Sequence, residues 1–196
     1  MQIKRLATRL TTIVLILCLC SCANRPIFSS NKHKTVKPSA ITRFTVDGAV
    51  GLNNQGRSSS GSFYWQVSGP NHYRARIFSP LSGDSAELTV KQNRARLRTS
   101  DGNEWQANSV TKLLADQTQW ALPVDALYYW IRGLPAPGPV KAVRHYEDGS
   151  VREIEQRGWL VRISRYKSRA NSTLPHKFLL QNRGVTIRLV ISHWKV

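Results

Sequence analysis

The sequence predicts a mainly β, single-domain protein, a strongly curved antiparallel sheet or barrel of about ten or eleven strands broken once by two short helices. Three observations predict it. After Arg43, apolar residues recur at every second position, the period of a strand with one buried face. Short breaks rich in Gly, Asn, Asp or Pro separate these runs at hairpin spacing. Between positions 109 and 134 the apolar period changes to that of a helix.

Taken in order, Phe44, Val46 and Gly48 alternate with Thr45, Asp47 and Ala49, and Asn53-Asn54-Gln55-Gly56 reads as a hairpin connection. A strand over 58–67 follows, carrying Phe63 and Trp65. Gly51 to Ser58 reads G-x-x-x-x-G-R-S, close to a phosphate-binding loop. Such a loop needs a lysine where Arg57 stands and a helix directly after it, and Ser58-Ser59-Ser60-Gly61-Ser62 starts none. It is read as a turn. A third strand over 73–79 leads to the turn Pro80-Leu81-Ser82-Gly83-Asp84, where Leu81 is an apolar residue at a polar tip. Alternation resumes at Ala86, Leu88 and Val90, and short strands at 95–98 and 105–107 flank Ser100-Asp101-Gly102-Asn103.

Ser109 is placed to cap a helix over 110–116. A second helix opens at Pro123 and ends at Gly133, which suits both residues. Val124, Leu127, Ile131 and Leu134 form its apolar stripe, joined by Tyr128 and Trp130. Pro135, Pro137 and Pro139 bar continuation. Strands return over 140–146 and 151–156 and from Trp159 through Val161 and Ile163. A polar loop is expected over 168–176, then Phe178 to Leu180, and a final strand with Val185, Ile187, Leu189 and Ile191 on one face. A helical insert must bury its own stripe, and the open mouth of a curved sheet is the natural place for it.

The amino terminus sets the compartment. Lys4, Arg5 and Arg9 precede an apolar run over 13–19 that is too short to span a bilayer, the layout of an export signal. Leu19-Cys20-Ser21-Cys22 resembles the bacterial lipobox, with cleavage before Cys22, a diacylglycerol on its thiol and an acyl chain on its amine. Ala23, rather than Asp, follows and points to the outer membrane. Several acyl chains anchor stably where one does not. The expected organisation is a signal peptide over 1–21, a flexible basic tether over 22–42, and the folded domain over 43–196.

All three cysteines lie at or before position 22, so the domain is held by its core and not by disulfides. Lys and Arg number 29 against 11 Asp and Glu, a formal net charge of +18. That balance favours anionic partners, and export disfavours nucleic acid among them. An enzyme finds little support. The histidines at 33, 72, 145, 176 and 193 show no metal spacing, and neither H-E-x-x-H nor G-x-S-x-G occurs. His145 beside Glu147 and Asp148 reads as a hairpin end. No metal or cofactor is expected beyond the lipid on Cys22.

The chain resembles the LolB family of outer-membrane lipoprotein receptors. The carrying residues are the lipobox with Ala23, Phe63-Tyr64-Trp65-Gln66, Ser79-Pro80-Leu81 followed by Glu87-Leu88, and Leu122-Pro123-Val124 leading to Trp130-Ile131-Arg132-Gly133-Leu134-Pro135. Gly158-Trp159 and the stretch from Ile187 to Trp194 complete the match. The resemblance implies an incomplete antiparallel barrel with a short helical lid over a hydrophobic cavity. It also implies receipt of lipoproteins from the soluble carrier LolA, binding of their acyl chains, and insertion into the inner leaflet of the outer membrane by a monomer. Leu81 matches the family's leucine on a protruding membrane-insertion loop. Trp65, Leu127, Trp130, Ile131 and Trp159 are expected to line the cavity. Two features depart from the family: Ser82 separates Leu81 from Gly83, and no convincing amphipathic helix precedes the first strand. The competing reading is an outer-membrane lipoprotein that binds polyanions or an assembly partner through its basic surface.

Overall fold

The structure, a computed structural model, describes residues 37–92, 94–118, 122–169 and 172–196. The signal segment, Cys22 and the tether as far as residue 36 lie outside the described residues. A 3-10 turn at Pro38–Ala40 leads into β1 (Phe44–Asn54), β2 (Arg57–Gly69), β3 (His72–Phe78), β4 (Ser85–Lys91), β5 (Arg94–Thr99) and β6 (Glu104–Ala107). Then come α1 (Val110–Thr118) and α2 (Val124–Trp130), followed by β7 (Ala142–His145), β8 (Val151–Gln156), β9 (Trp159–Arg169), β10 (Ser172–Asn182) and β11 (Val185–Lys195).

The eleven strands form one antiparallel sheet in the order β6-β5-β4-β3-β2-β1-β11-β10-β9-β8-β7. Every pairing but one joins strands consecutive in sequence, as short hairpins dictate. The exception joins β1 to β11, the first strand to the last. It makes one sheet of two meanders and leaves β6 and β7 as its edges. The helices carry the chain from one edge to the other.

Alternation along the strands builds the inner face. Val46, Trp65, Ala75, Leu88, Leu97 and Trp105 stand in one cross-strand row, with Phe44, Val67, Tyr73, Val90 and Ala95 in the next. On the other wing Ile187, Leu180, Val161 and Ile154 align. One hydrophobic cluster unites both wings with Leu113, Val124, Ala126, Tyr128, Trp130 and Ile131 of the helical region, so the sheet curls around α2. At the β1–β11 seam a bulge falls between Asp47 and Gly48. There a Cβ on Gly48 would come within 2.0 Å of the Val190 carbonyl oxygen, and only glycine permits the approach.

The G-x-x-x-x-G-R-S stretch is the β1–β2 hairpin, with φ of +50° and +86° at Gln55 and Gly56, as a two-residue primed turn requires. Ser109 caps α1, its Oγ accepting from the Lys112 amide at 3.3 Å.

Three expectations need correction. Residues 168, 169 and 172–176, expected in a polar loop over 168–176, belong instead to the ends of β9 and β10, paired from Arg169 with Ser172 to Tyr166 with Pro175, while 170 and 171 lie outside the described residues. Pro175 lacks a ladder donor, yet it sits beside an irregularity that leaves His176 out of the register, where a missing ladder bond is tolerated. The stripe on α2 is broader than its period implies: Val124, Ala126, Tyr128 and Trp130 are buried, while Leu127 and Leu134 are half-buried. A helix lying inside a curved sheet meets neighbours on more than one face. Finally, the folded part begins before Arg43, because Ile41 is buried and its carbonyl is held by Arg132.

Candidate functional site

The sheet's interior and the hairpin carrying Leu81 are the two places where the sequence predicts function. Trp65 projects from β2 into the core, edge-on to Phe44 at 5.9 Å and to Tyr73 at 5.8 Å between ring centroids. Trp130 and Ile131 come from α2 and the turn after it, and Trp159 from the start of β9, all buried. Leu127 packs against the same cluster from the outer side of α2. The five predicted lining residues therefore share one apolar interior. They are packed against protein there, and none of them lines either of two cavities at the surface. One of these, about 430 Å³, is bounded by Lys167, Leu174, His176, Trp194 and Lys195. The other, about 220 Å³, lies between Tyr73, Val90, Arg94, Ser109 and Asp125.

Polar residues that the sequence reading did not single out hold the helical cover in place. Gln156, buried on β8, accepts at Oε1 from Trp130 Nε1 at 3.0 Å and from the Ala136 amide at 2.9 Å, and its Nε2 donates to the Ala136 carbonyl at 2.7 Å. Asp125 pairs with Arg157 of the β8–β9 turn at 2.5 Å. After α2, the Gly133 amide donates to Trp130 and the Leu134 amide to Tyr129, a Schellman ending with Gly133 at φ +75°. A Cβ there would also press on the Tyr166 hydroxyl at 2.9 Å.

Arg132 is buried, stacked over Tyr128 at 4.0 Å, and donates to the Tyr128 carbonyl at 2.9 Å and the Ile41 carbonyl at 2.7 Å. Burial holds its pKa below the usual arginine value, partly offset by the two tyrosines beside it. Tyr128 Oη adds a bond of 3.3 Å to the Thr42 carbonyl. The approach to β1 is thus fastened to the helical cover, and polar residues that look like surface in a sequence act as its ties.

The β3–β4 hairpin presents Leu81 with its side chain 100% exposed. The extra Ser82 braces the loop. Its Oγ donates to Asp84 Oδ2 at 2.6 Å and its amide to Ser79 Oγ at 3.3 Å, while the Ser79 amide donates to the Asp84 carbonyl at 2.8 Å. The tip is therefore braced by its own hydrogen bonds and has an apolar apex. Phe78 and Ile77 are also exposed at its base, and the Arg76 guanidinium lies 5.9 Å from the Phe78 ring centroid. An apolar tip with an arginine–aromatic pair behind it suits a membrane interface.

The protein is an open antiparallel sheet curled around a helix-covered apolar interior, with one apolar hairpin tip held in solvent. Its fold is shared with a LolA superfamily protein from Nitrosomonas europaea, with a TM-score of 0.52 at 11% identity over 79% of this chain and 86% of that one. The family described as "Outer membrane lipoprotein LolB" matches residues 42–194, and the chain belongs to it. Similar relatives are the outer-membrane lipoprotein LolB of Coxiella burnetii, 32% identical over 80% of this chain and 74% of that protein, and that of Pseudomonas aeruginosa, 31% identical over 80% and 76%. The protein is thus an outer-membrane lipoprotein of the lipoprotein-sorting pathway, as the resemblance implied.

Proposed function

We propose that this protein, anchored by acyl chains on Cys22, takes lipoproteins from a soluble carrier of the LolA type. It shelters their acyl chains in the sheet interior and inserts them into the outer membrane through Leu81. The observation that carries the reading is the unpaired gap between β6 and β7, spanned among the described residues by a short helical insert whose apolar side completes the core. A closed barrel could not admit a chain without breaking strand pairs, whereas here opening asks only that the helical cover release its side-chain ties to Gln156, Arg157 and Ile41, with every strand pair kept. Trp65, Leu127, Trp130, Ile131 and Trp159 then meet the acyl chains in place of one another.

The driving force needs no nucleotide. Each methylene kept from water contributes about 0.8 kcal/mol, so acyl chains pass only between sheltered sites. A receiver tighter than its donor by about 1.4 kcal/mol accepts the cargo tenfold in its favour.

Incubating the purified protein with a carrier–lipoprotein complex tests receipt directly: the client should appear on this protein, and a client that stays on the carrier excludes the reading. Leu81→Glu should leave receipt intact and cut delivery to liposomes at least tenfold. Delivery at the normal rate would remove Leu81 from the mechanism.

A further inference from the structure

Three buried polar atoms have no hydrogen-bond partner among the described residues: Trp65 Nε1, Tyr73 Oη and Asp125 Oδ1. Buried polar groups are paired as a rule, so three unpaired ones in one region of a small domain call for an explanation. They are neighbours. The Trp65 and Tyr73 rings meet edge to face at 5.8 Å, and Tyr73 and Asp125 both line the cavity of about 220 Å³. The other oxygen of Asp125 is engaged by Arg157 at 2.5 Å, which holds the carboxylate in place and leaves Oδ1 turned away from solvent. Burial, with the charge of Asp125 second, raises the Tyr73 pKa, so the phenol keeps its proton and can donate.

Resting on the receptor reading above, we propose that Tyr73 and Asp125, with Trp65 packed behind Tyr73, form a polar subsite for the linkage of the client's lipid-modified cysteine, where the N-acyl amide and the glyceryl esters meet. The donor and acceptor count selects that chemistry. Tyr73 O–H is a donor suited to an ester or amide carbonyl, and Asp125 Oδ1 accepts only, which requires a donor N–H or O–H. The acylated cysteine carries carbonyls and one amide N–H. The glyceryl esters of a phospholipid carry carbonyls alone, and the carboxylate repels a phosphate. The position fits an amphiphile as well. Trp65 belongs to the apolar core on one side, and Arg94 and Ser109 line the cavity on the other. Chains directed into the sheet would therefore leave the linkage at this boundary.

The test compares two probes that share ester-linked palmitoyl chains, a tripalmitoyl-S-glyceryl-cysteinyl peptide and dipalmitoyl phosphatidylcholine, which carries no hydrogen-bond donor. Each competes for the purified full-length protein against a fluorescent fatty acid. Tyr73→Phe and Asp125→Ala should each weaken the peptide about threefold to tenfold, the range for one lost hydrogen bond, and leave phosphatidylcholine within about twofold. Arg157→Gln, which breaks the ion pair but keeps Oδ1, should preserve the preference for the peptide. If both variants weaken the two probes equally, or neither changes the peptide's affinity, the subsite is overturned while the receptor reading stands. If the unmutated protein binds neither probe, the receptor reading falls and the subsite with it. Tyr73→Phe removes one oxygen without changing shape, so it carries the test even if Asp125→Ala fails to fold.

Discussion

Gln156 makes three hydrogen bonds through its side chain while 1% exposed, joining β8 to Trp130 of α2 and to Ala136 in the proline-rich exit. Its removal orphans two N–H groups and a carbonyl in the core. Gln156→Ala should therefore lower stability by about 3 kcal/mol, read from the urea midpoint with the slope unchanged. An unshifted midpoint would mean that water takes over all three bonds. His176 gives a pH prediction. Desolvation lowers its pKa, only partly opposed by the bond between Nδ1 and the Ile191 carbonyl at 2.7 Å, and Lys167 and Arg165 lower it further. The folded state therefore binds the proton less readily than the unfolded chain does. Stability from this group is complete above the ordinary histidine pKa of about 6.5 and is lost as pH falls through the lowered value. The difference in stability between pH 7.5 and pH 5 should shrink in His176→Gln. Such residues are hard to read from sequence, because glutamine and histidine look like surface until their partners are known.

At the scale of elements, α2 and the approach to β1 are one unit. Arg132 binds carbonyls from both, and its charge is balanced by the faces of Tyr128 and Tyr129. Arg132→Met should keep the packing and lose two charge-assisted bonds. The expected loss is about 2 kcal/mol in urea unfolding, with new protease cleavage near Ile41. Unchanged cleavage would show that the turn at Pro38–Ala40 holds by other contacts. Much of this level was legible. The hairpins at Gln55-Gly56 and Arg157-Gly158, the Ser109 cap and the Gly133 ending follow from local chemistry. The join of β9 and β10 was not, because Pro175 and His176 are tolerated only through an irregularity that depends on β9 and on the Ile191 carbonyl.

At the scale of the molecule, charge and cargo make different demands. The excess of Lys and Arg is spread over the strands, and part of it is paired, as in Arg74–Glu87, Arg98–Glu104 and Lys141–Glu155. Such a surface acts on encounter more than on final affinity. Raising salt from about 0.05 to 0.5 M, which shortens screening to a few ångström, should slow transfer from the carrier severalfold and leave its final extent unchanged. A loss of final extent would favour the polyanion-binding alternative. By itself the sequence determined the strand period, the helical interruption, the hairpin turns, the resemblance to one family and the exposed leucine at position 81. These are local patterns, readable within a few residues of each other. Only the tertiary structure decided that β1 pairs with β11, that β6 and β7 stay apart, that Arg132 ties the helical cover to the approach to β1, and that Tyr73 and Asp125 line one cavity. Each of those depends on which distant segments meet when the core closes, and no single stretch of chain carries that information.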